Sequence, residues 1–165
     1  MLRIDKIDRK IVNLLMDDGR MPAAEIARKV GDISERVIRY RIDRLVKEGI
    51  ISISAIPKPL ALGYSVVADV FIEVEPGLIN DVATRLKDFE CVSYVACAIG
   101  ETDVSVQVVA HDTGEIYRFV TEVIGRTSGV RKTTTSIVPL VVKDVYQWRI
   151  PSSVCVNGRE SKTDL

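Results

Sequence analysis

The sequence is poor in the residues that build metal centres and catalytic sites. It has one histidine, His111, and three cysteines, Cys91, Cys97 and Cys155. The cysteines lack the close spacing of a zinc site, and their odd number argues against a disulfide framework. We therefore expect reduced thiols that pack as small apolar side chains, with no metal ion and no other cofactor.

Long apolar stretches are also missing. No run approaches the roughly 18 residues that would indicate a membrane span. The first five residues, MLRID, carry charge where a signal peptide would need an apolar core. The composition, 47% hydrophobic and 28% charged, is that of a globular protein. A cytoplasmic location is expected, and 165 residues suit one ordinary domain or two small ones.

The net charge is zero overall but differs between the two halves of the chain. Residues 1–60 hold 13 Lys and Arg against 9 Asp and Glu, a net charge of +4. Residues 61–165 hold 10 against 14, a net charge of −4. Such asymmetry favours a nucleic-acid-binding half joined to a half with another task.

The first half has the pattern of three short helices. Residues 4–18 carry one helical stripe, and Gly19 can end that helix. Pro22 precedes a second amphipathic stretch, which ends before a turn at 31–33. Ser34 is a good N-cap for a third helix that runs to about Glu48. This order, with its short turn, is typical of a helix-turn-helix.

The third helix carries a cationic surface. Recognition helices enter the major groove with their N-terminal end, so Glu35, Arg36 and Arg39 are the best placed to meet base edges. Ser34, at the start of the helix, is a further candidate for DNA binding. Tyr40 and Arg44 are expected to reach phosphates. An alternative is a solvated helix face with a Glu35–Arg39 ion pair, but the two preceding helices favour DNA binding. For Arg41, nearer the inner face, a salt bridge and a DNA contact both stay open.

The segment after the third helix alternates in polarity. Its β-branched residues predict a strand over 50–56, either a wing or a connecting strand. Pro57 and Pro59 then indicate a stiff linker. These features place a DNA-binding domain at 1–56 and a linker at 57–63.

The second half predicts a separate α+β domain over 64–145. Period-two alternation predicts strands at 64–74, 92–98, 103–110 and 131–142. Helical stripes fall between the first two strands and between the last two. The order β-α-β-β-α-β is that of a ferredoxin-like fold, with both helices on one face of the sheet. Residues 149–165, rich in Pro, Ser, Asn, Gly and Lys, are expected to form a disordered tail.

One face of this sheet is predicted to be half-apolar and open. Even-numbered positions in the first and third strands are apolar and should lie under the helices. The opposite face is mixed, with Val67, Phe71 and Val109 beside Asp69, Ser105 and Gln107. An open face of this kind is usually covered, which predicts a homodimer whose interface holds water or a polar ligand.

Short motifs in order along residues 3–143 resemble the Lrp/AsnC family, the feast/famine regulators. In the first half these are IDRKI at 7–11, GR at 19–20, EIA at 25–27, Ser34, RI at 41–42, Leu45 and GII at 49–51. In the second half they are LG at 62–63, GETD at 100–103, GV at 129–130 and TTT at 133–135.

The resemblance implies a transcriptional regulator: a winged helix-turn-helix and a sensor domain that dimerises through its sheet, with dimers assembling into octamers. It also implies small effectors, often amino acids, in clefts between sensor domains. The family turn that lines this cleft corresponds to Gly100, Glu101, Thr102 and Asp103, our effector candidates. The strand residues Thr133, Thr134 and Thr135 are secondary candidates. A tight turn explains the first set equally well, and threonines are ordinary strand residues.

The sequence departs from the family pattern in two places. The turn at 31–34, before the third helix, is one residue longer than usual, which changes how that helix projects. Ile99 stands where the family commonly has a hydroxyl residue, which leaves open a different effector, or none.

Two other functions compete. Haem-precursor decarboxylases share the two-part architecture, but no acid/base pair can be argued from the spacing here, so we expect no catalytic residues and no enzyme. The other is a ligand-binding protein with a vestigial DNA-binding half, against which the cationic third helix argues.

Overall fold

The computed structural model describes residues 4–155, which fall into two compact units. The helical unit contains the described residues up to Ile56 together with those from Lys143 onward. The sheet unit contains residues 57–142. The chain therefore leaves the helical unit once, builds the sheet unit, and returns.

Three helices build the helical unit: α1 (Lys6–Asp17), α2 (Ala23–Val30) and α3 (Glu35–Lys47). Helix α1 begins with a capping box, in which Asp5 accepts from the backbone N–H of Asp8 and Asp8 accepts from that of Asp5. The isoleucines Ile11, Ile26 and Ile38, one from each helix, are fully buried against one another. The predicted helix-turn-helix is thus confirmed.

The strand predicted over 50–56 is wrong, because residues 51–58 have no regular secondary structure. The backbone N–H groups of Ile50 and Ile51 donate to the carbonyl of Leu45 at 2.9 and 3.3 Å, which closes the end of α3. Both side chains pack beside Leu45. An alternating segment forms a strand only where a neighbouring strand completes its hydrogen bonds, and none lies beside this one among residues 4–155.

The tail predicted to be disordered from residue 149 instead packs on the helical unit through residue 155. Ile150 is buried, and the backbone of Cys155 forms an isolated parallel bridge with that of Ile4. The polar composition of 149–165 concealed the one large apolar residue that anchors this stretch. Residues 156–165 lie outside the described residues.

The sheet unit has the predicted β-α-β-β-α-β order. After a 3₁₀ turn at Pro59–Leu62 come β1 (Val66–Val74), α4 (Ile79–Leu86), β2 (Val92–Cys97) and β3 (Val104–Ala110). Helix α5 (Thr113–Arg118) continues as a π-helical turn (Phe119–Ile124), and β4 (Val130–Val138) follows. The sheet is antiparallel with strand order β2-β3-β1-β4. Strand β4 ends at Val138, earlier than predicted, because the next residue, Pro139, lacks the N–H that would continue the ladder.

The two faces of the sheet differ as their alternation predicts. The even-numbered residues of β1 and β3, from Ala68 to Val74 and from Val104 to Ala110, are buried together with Val82, Leu86, Ile116 and Ile124 of the helices. The opposite face, which we call the open face, carries the predicted mixture, in which Phe71 is exposed and Val67, Asp69 and Gln107 are half-buried.

Candidate nucleic-acid interface and effector site

Helix α3 begins at a well-defined cap. The Ser34 hydroxyl oxygen accepts from the backbone N–H of Val37 at 3.4 Å. Gly31 and Asp32 both have positive φ angles, 88° and 50°, which reverse the chain in the turn before this cap. The first turn of α3 is therefore placed by a short and sharply bent connection to α2.

The outward face of the first two turns carries charge and one aromatic ring. Arg36, Arg39 and Tyr40 are exposed. Arg39 forms an i,i+4 ion pair with Glu35, with Nε 3.0 Å from Oε1. Exposed pairs of this kind contribute only about 0–1 kcal/mol, so the pair can open for a better partner. Four of the predicted DNA-contact residues thus lie together on one accessible face.

Two other arginines of α3 point inward, toward the start of α1. Arg41 Nη1 lies 2.8 Å from Asp5 Oδ2 and 2.7 Å from Asp8 Oδ1. Arg44 Nη2 lies 2.5 Å from Asp8 Oδ2. Only 1% of the Asp8 side chain is exposed. Arg44, which was predicted to reach phosphates, is therefore engaged in a structural network. Of the two alternatives left open for Arg41, a salt bridge or a DNA contact, the structure has the salt bridge.

Charge pairing dominates this network. Burial alone would raise the pKa of Asp5, but its hydrogen bond from the Asp8 N–H and its contacts with Arg41 outweigh that effect and lower the pKa. Burial would likewise lower the pKa of Arg41, and its bonds to Asp5 and Asp8 raise it instead. Sequence reasoning left a salt bridge open for Arg41 but identified neither its partners nor the inward position of Arg44. Acidic residues at the N-cap and third position of α1 were a visible signal for part of the network.

The predicted effector turn is tied to the end of β1. Asp103 donates its N–H to the Ile72 carbonyl at 2.9 Å, and its Oδ2 accepts from the Val74 N–H at 2.7 Å. One carboxylate oxygen of Asp103 thus has a structural role, because it holds the turn against the end of β1. Gly100 has a φ of 152°, Glu101 is exposed, and Ile99 is fully exposed. The side chain of Thr102, next to the exposed Glu101, is half-buried.

The predicted effector threonines do not share one surface. Thr134 is paired with Phe71 on the open face, whereas Thr133 and Thr135 point to the side of the helices. Thr133 is paired with Ile72, the residue whose carbonyl binds Asp103 on its other side. Thr135 lines an apolar groove with Tyr117, Val120 and Ile137. The turn and Thr133 thus lie at the same end of the sheet, with strand β1 between them.

On the open face the polar side chains bind one another. Gln107 Nε2 donates to Asp69 Oδ1 at 3.1 Å, and Ser93 Oγ lies 3.2 Å from Gln107 Oε1. Paired in this way, they can be covered at low cost beside Val67 and Phe71. The face combines an apolar surface with satisfied polar groups, which suits a protein interface.

The single histidine has a local structural role at the end of β3. Its Nδ1 lies 3.1 Å from Glu115 Oε2, and its ring packs at a tilt against that of Tyr64 with centroids 4.3 Å apart. The hydrogen bond from the His111 backbone N–H is the main reason that the pKa of Glu115 is lowered. Within residues 4–155 no group of three His, Cys, Asp or Glu is arranged to hold a metal ion. No helix in that range has the length and apolarity to cross a membrane.

Family models match both units. A model described as winged helix-turn-helix DNA-binding matches residues 4–52, and one described as Lrp/AsnC ligand binding domain matches residues 67–148. An uncharacterised HTH-type transcriptional regulator of Pyrococcus horikoshii is 36% identical over 146 residues, which are 88% of this chain and 92% of the relative. The regulator LrpA of the same organism is 34% identical over 136 residues, covering 82% of this chain and 96% of LrpA.

Solved structures have the same fold. The leucine response regulatory protein LrpA of Mycobacterium tuberculosis superposes with a TM-score of 0.72 at 28% identity, over 90% of this chain and all of that one. A transcriptional regulator of Neisseria meningitidis, solved as a complex with L-Met, superposes with a TM-score of 0.79 at 24% identity, over 86% of this chain and 93% of that one.

Proposed function

Because the chain belongs to the Lrp/AsnC family of transcriptional regulators, we propose that it reads its operator with the outward face of α3 and that a small molecule controls it through the sheet unit. One observation carries the first part: the arginines of α3 divide into an outward pair, Arg36 and Arg39, and an inward pair held by Asp8. This division leaves Arg36 and Arg39 on the accessible face, near the end of a recognition helix that meets base edges.

The residues of α3 take different parts in the proposed complex. Arg36 and Arg39 make paired hydrogen bonds to guanine, and Glu35 accepts from cytosine once its ion pair opens. Ser34 and Tyr40 contact phosphates on either side of the groove. Arg44 is left out of this set, since Asp8 already binds its guanidinium.

The regulator is proposed to act as a homodimer through the open face. Its apolar residues Val67, Phe71 and Val109 and its internally bonded Asp69 and Gln107 support this arrangement. Assembly of dimers into an octamer is the larger form that the family resemblance suggests. A two-fold dimer presents two copies of α3 to one face of the duplex.

Selection of binding sites from randomised duplex DNA tests the DNA-binding proposal. The selected sites are expected to be pseudo-palindromic, with half-sites separated by about 34–36 Å or a multiple of it. Affinity for the selected site should fall linearly on logarithmic axes as salt rises, with a slope of about −0.9 for each phosphate contacted. Recovery of no enriched sequence would favour the vestigial alternative, and a single unpaired half-site would contradict the dimer.

The effector is proposed to bind at the turn holding Glu101 and Thr102. Amino acids are the first class of effector to test. The family resemblance implies them, and the Neisseria meningitidis regulator was solved as a complex with the amino acid L-Met. Backbone groups of the turn can bind the ammonium and carboxylate of such a ligand, and the exposed Glu101 carboxylate can pair with the ammonium. Asp103 is proposed to hold the turn in shape through the Val74 N–H.

A thermal-shift screen against the twenty amino acids tests this proposal. A ligand at 100 times its Kd stabilises the native state by about 2.7 kcal/mol, which raises Tm by several degrees. Glu101→Gln and Thr102→Val should each abolish the shift, whereas the control Glu90→Gln, elsewhere in the sheet unit, should keep it. If the ligand-induced rise in Tm survives in both turn variants, the ligand binds elsewhere. If no amino acid raises Tm, amino acids are not the effectors.

We also propose that the chain is not an enzyme. The named relatives are transcriptional regulators, and the one histidine is paired with Glu115 and packed against Tyr64. Turnover of a tetrapyrrole by the purified protein would overturn this proposal.

A further inference from the structure

The stretch Arg149–Cys155, which we call the C-terminal strap, begins just after residue 148, where the match to the ligand-binding family model ends. It is nevertheless part of the helical unit. Neither the matched winged helix-turn-helix model, which covers residues 4–52, nor the proposed function assigns it a role.

Three residues of the strap, Arg149, Ile150 and Cys155, contact the helical unit. The Ile150 side chain is buried, with 8% exposed, in a cluster with Ile4, Val12 and Leu45. The Ile150 carbonyl accepts from Arg9 Nε at 2.8 Å, and the Cys155 backbone is bridged to that of Ile4. Arg149 adds an ion pair with Asp17 at the far end of α1. The strap therefore follows α1 from its last turn to its start.

These contacts reach the recognition helix by two routes. Leu45 belongs to α3, so Ile150 shares a buried apolar cluster with that helix. Arg9, which holds the strap, is next in sequence to Asp8, which binds Arg41 and Arg44 of α3. Without Ile150, the cluster of Ile4, Val12 and Leu45 would lose one of its four buried members.

We propose that the C-terminal strap is a positioning element for DNA binding, which completes the core between α1 and α3 and holds the recognition helix at the angle that its operator requires. The inference rests on the proposed operator contacts of α3. A unit of three short helices buries little apolar surface, so one added anchor has a large effect on its rigidity.

Paired variants within the strap test the positioning role. Ile150→Asp is expected to lower affinity for the selected operator by tenfold or more and to speed amide hydrogen exchange in α3 by a similar factor. The conservative variant Ile150→Leu should keep operator affinity and amide exchange close to those of the unaltered chain. The matched control is Val154→Asp, since Val154 is half-exposed and lies outside the cluster. A peptide of residues 149–155 should partly rescue a chain ending at Trp148. Equal affinity and exchange in Ile150→Asp and Val154→Asp would overturn the proposal.

A disulfide trap tests the position of the strap without using DNA. Ile4→Cys is placed in a chain that also carries Cys91→Ser and Cys97→Ser, leaving Cys155 as its only partner. Neighbouring strands lie about 4.7–4.9 Å apart, within the range in which disulfides close. Oxidation should form an intramolecular disulfide, and the oxidised variant should bind the operator at least as tightly as the same variant in its reduced form. Disulfide-linked dimers would show that the strap packs on the helical unit of a second copy of the chain. Failure to crosslink would show that the strap does not lie beside the start of α1. Either result overturns the proposal.

The two experiments separate the strap from the function on which it rests. If no operator is found but the intramolecular disulfide forms and Ile150→Asp still speeds exchange in α3, the operator proposal fails and the strap remains a support of the recognition helix. If an operator is bound equally well with and without the strap, the positioning role fails and the operator contacts stand.

Discussion

Replacing Asp8 with alanine is expected to lower the free energy of unfolding of the helical unit by about 3–5 kcal/mol. The Asp8 side chain is 1% exposed and binds both Arg41 and Arg44. Its removal leaves two partly buried guanidinium groups without their shared partner, and buried unpaired charge is among the costliest changes in a protein. It also removes one half of the capping box of α1.

Such a loss is a large part of the roughly 5–15 kcal/mol that stabilises an ordinary domain. Urea unfolding followed by circular dichroism should show it as an early transition of the helical unit, with the transition of the sheet unit unchanged. Glu25→Ala is the matched control, because Glu25 forms an exposed pair with Lys29 at 3.0 Å that contributes about 0–1 kcal/mol. Equal effects of the two substitutions would show that the Asp8 network stabilises no more than a surface pair.

A double-mutant cycle separates the network from the helix cap. Asp8→Ala and Arg41→Ala are expected to be strongly non-additive, since each removes the same contact, with a coupling of about 0.5–3 kcal/mol. Asp8→Ala with Arg36→Ala should be additive, because Arg36 lies on the exposed face of the helix. Additivity in both pairs would assign the loss at Asp8 to the cap alone.

Helical periodicity was enough to predict α1 to α3 and the cap at Ser34. It was not enough to decide which arginines of α3 face outward. Arg44 lies at the margin of the apolar stripe, where a small rotation of the helix directs a long side chain to solvent or to a neighbour. The decision is made by Asp8 on α1, 36 positions earlier in the chain. Contacts at that separation leave no periodic trace.

The wrong strand and the misjudged tail have one physical origin. Residues 50–56 alternate as a strand does, but a strand also needs a partner, which local sequence does not reveal. Residues 149–155 look disordered on average, yet one isoleucine that fits the cluster of Ile4, Val12 and Leu45 is sufficient to hold them. The composition of a segment, averaged over its residues, does not reveal whether one side chain fits a buried cluster.

In the sheet unit, strict alternation made prediction easier. Because side chains on a strand alternate between faces, the even-numbered residues of β1 and β3 could be assigned to the core before the fold was known. The same rule divides the candidate threonines, with Thr134 on one face and Thr133 and Thr135 on the other. The role of Asp103 was harder to predict, since the Val74 N–H that it binds comes 29 residues earlier.

Arg36→Ala and Arg39→Ala are each expected to lower affinity for the selected operator by about 1–3 kcal/mol, roughly 5- to 150-fold. Each arginine is exposed near the N-terminal end of α3, the part of a recognition helix that meets base edges. A lost paired bond to guanine affects only the cognate sequence, so binding to unrelated duplex should change far less. The double variant should approach the affinity for unrelated DNA. Titration of operator and scrambled duplexes at fixed salt measures both quantities.

Lys47→Ala provides the matched control, because it removes one positive charge from the opposite end of the same helix, where Lys47 is also exposed. If Lys47 contacts only phosphate, its loss should weaken operator and scrambled DNA alike and reduce the salt dependence by about one phosphate. Sequence reading and simple charge attraction are thereby separated on one helix. If Arg36→Ala and Arg39→Ala behave like Lys47→Ala, then the outward arginines supply charge alone, and the bases are read elsewhere.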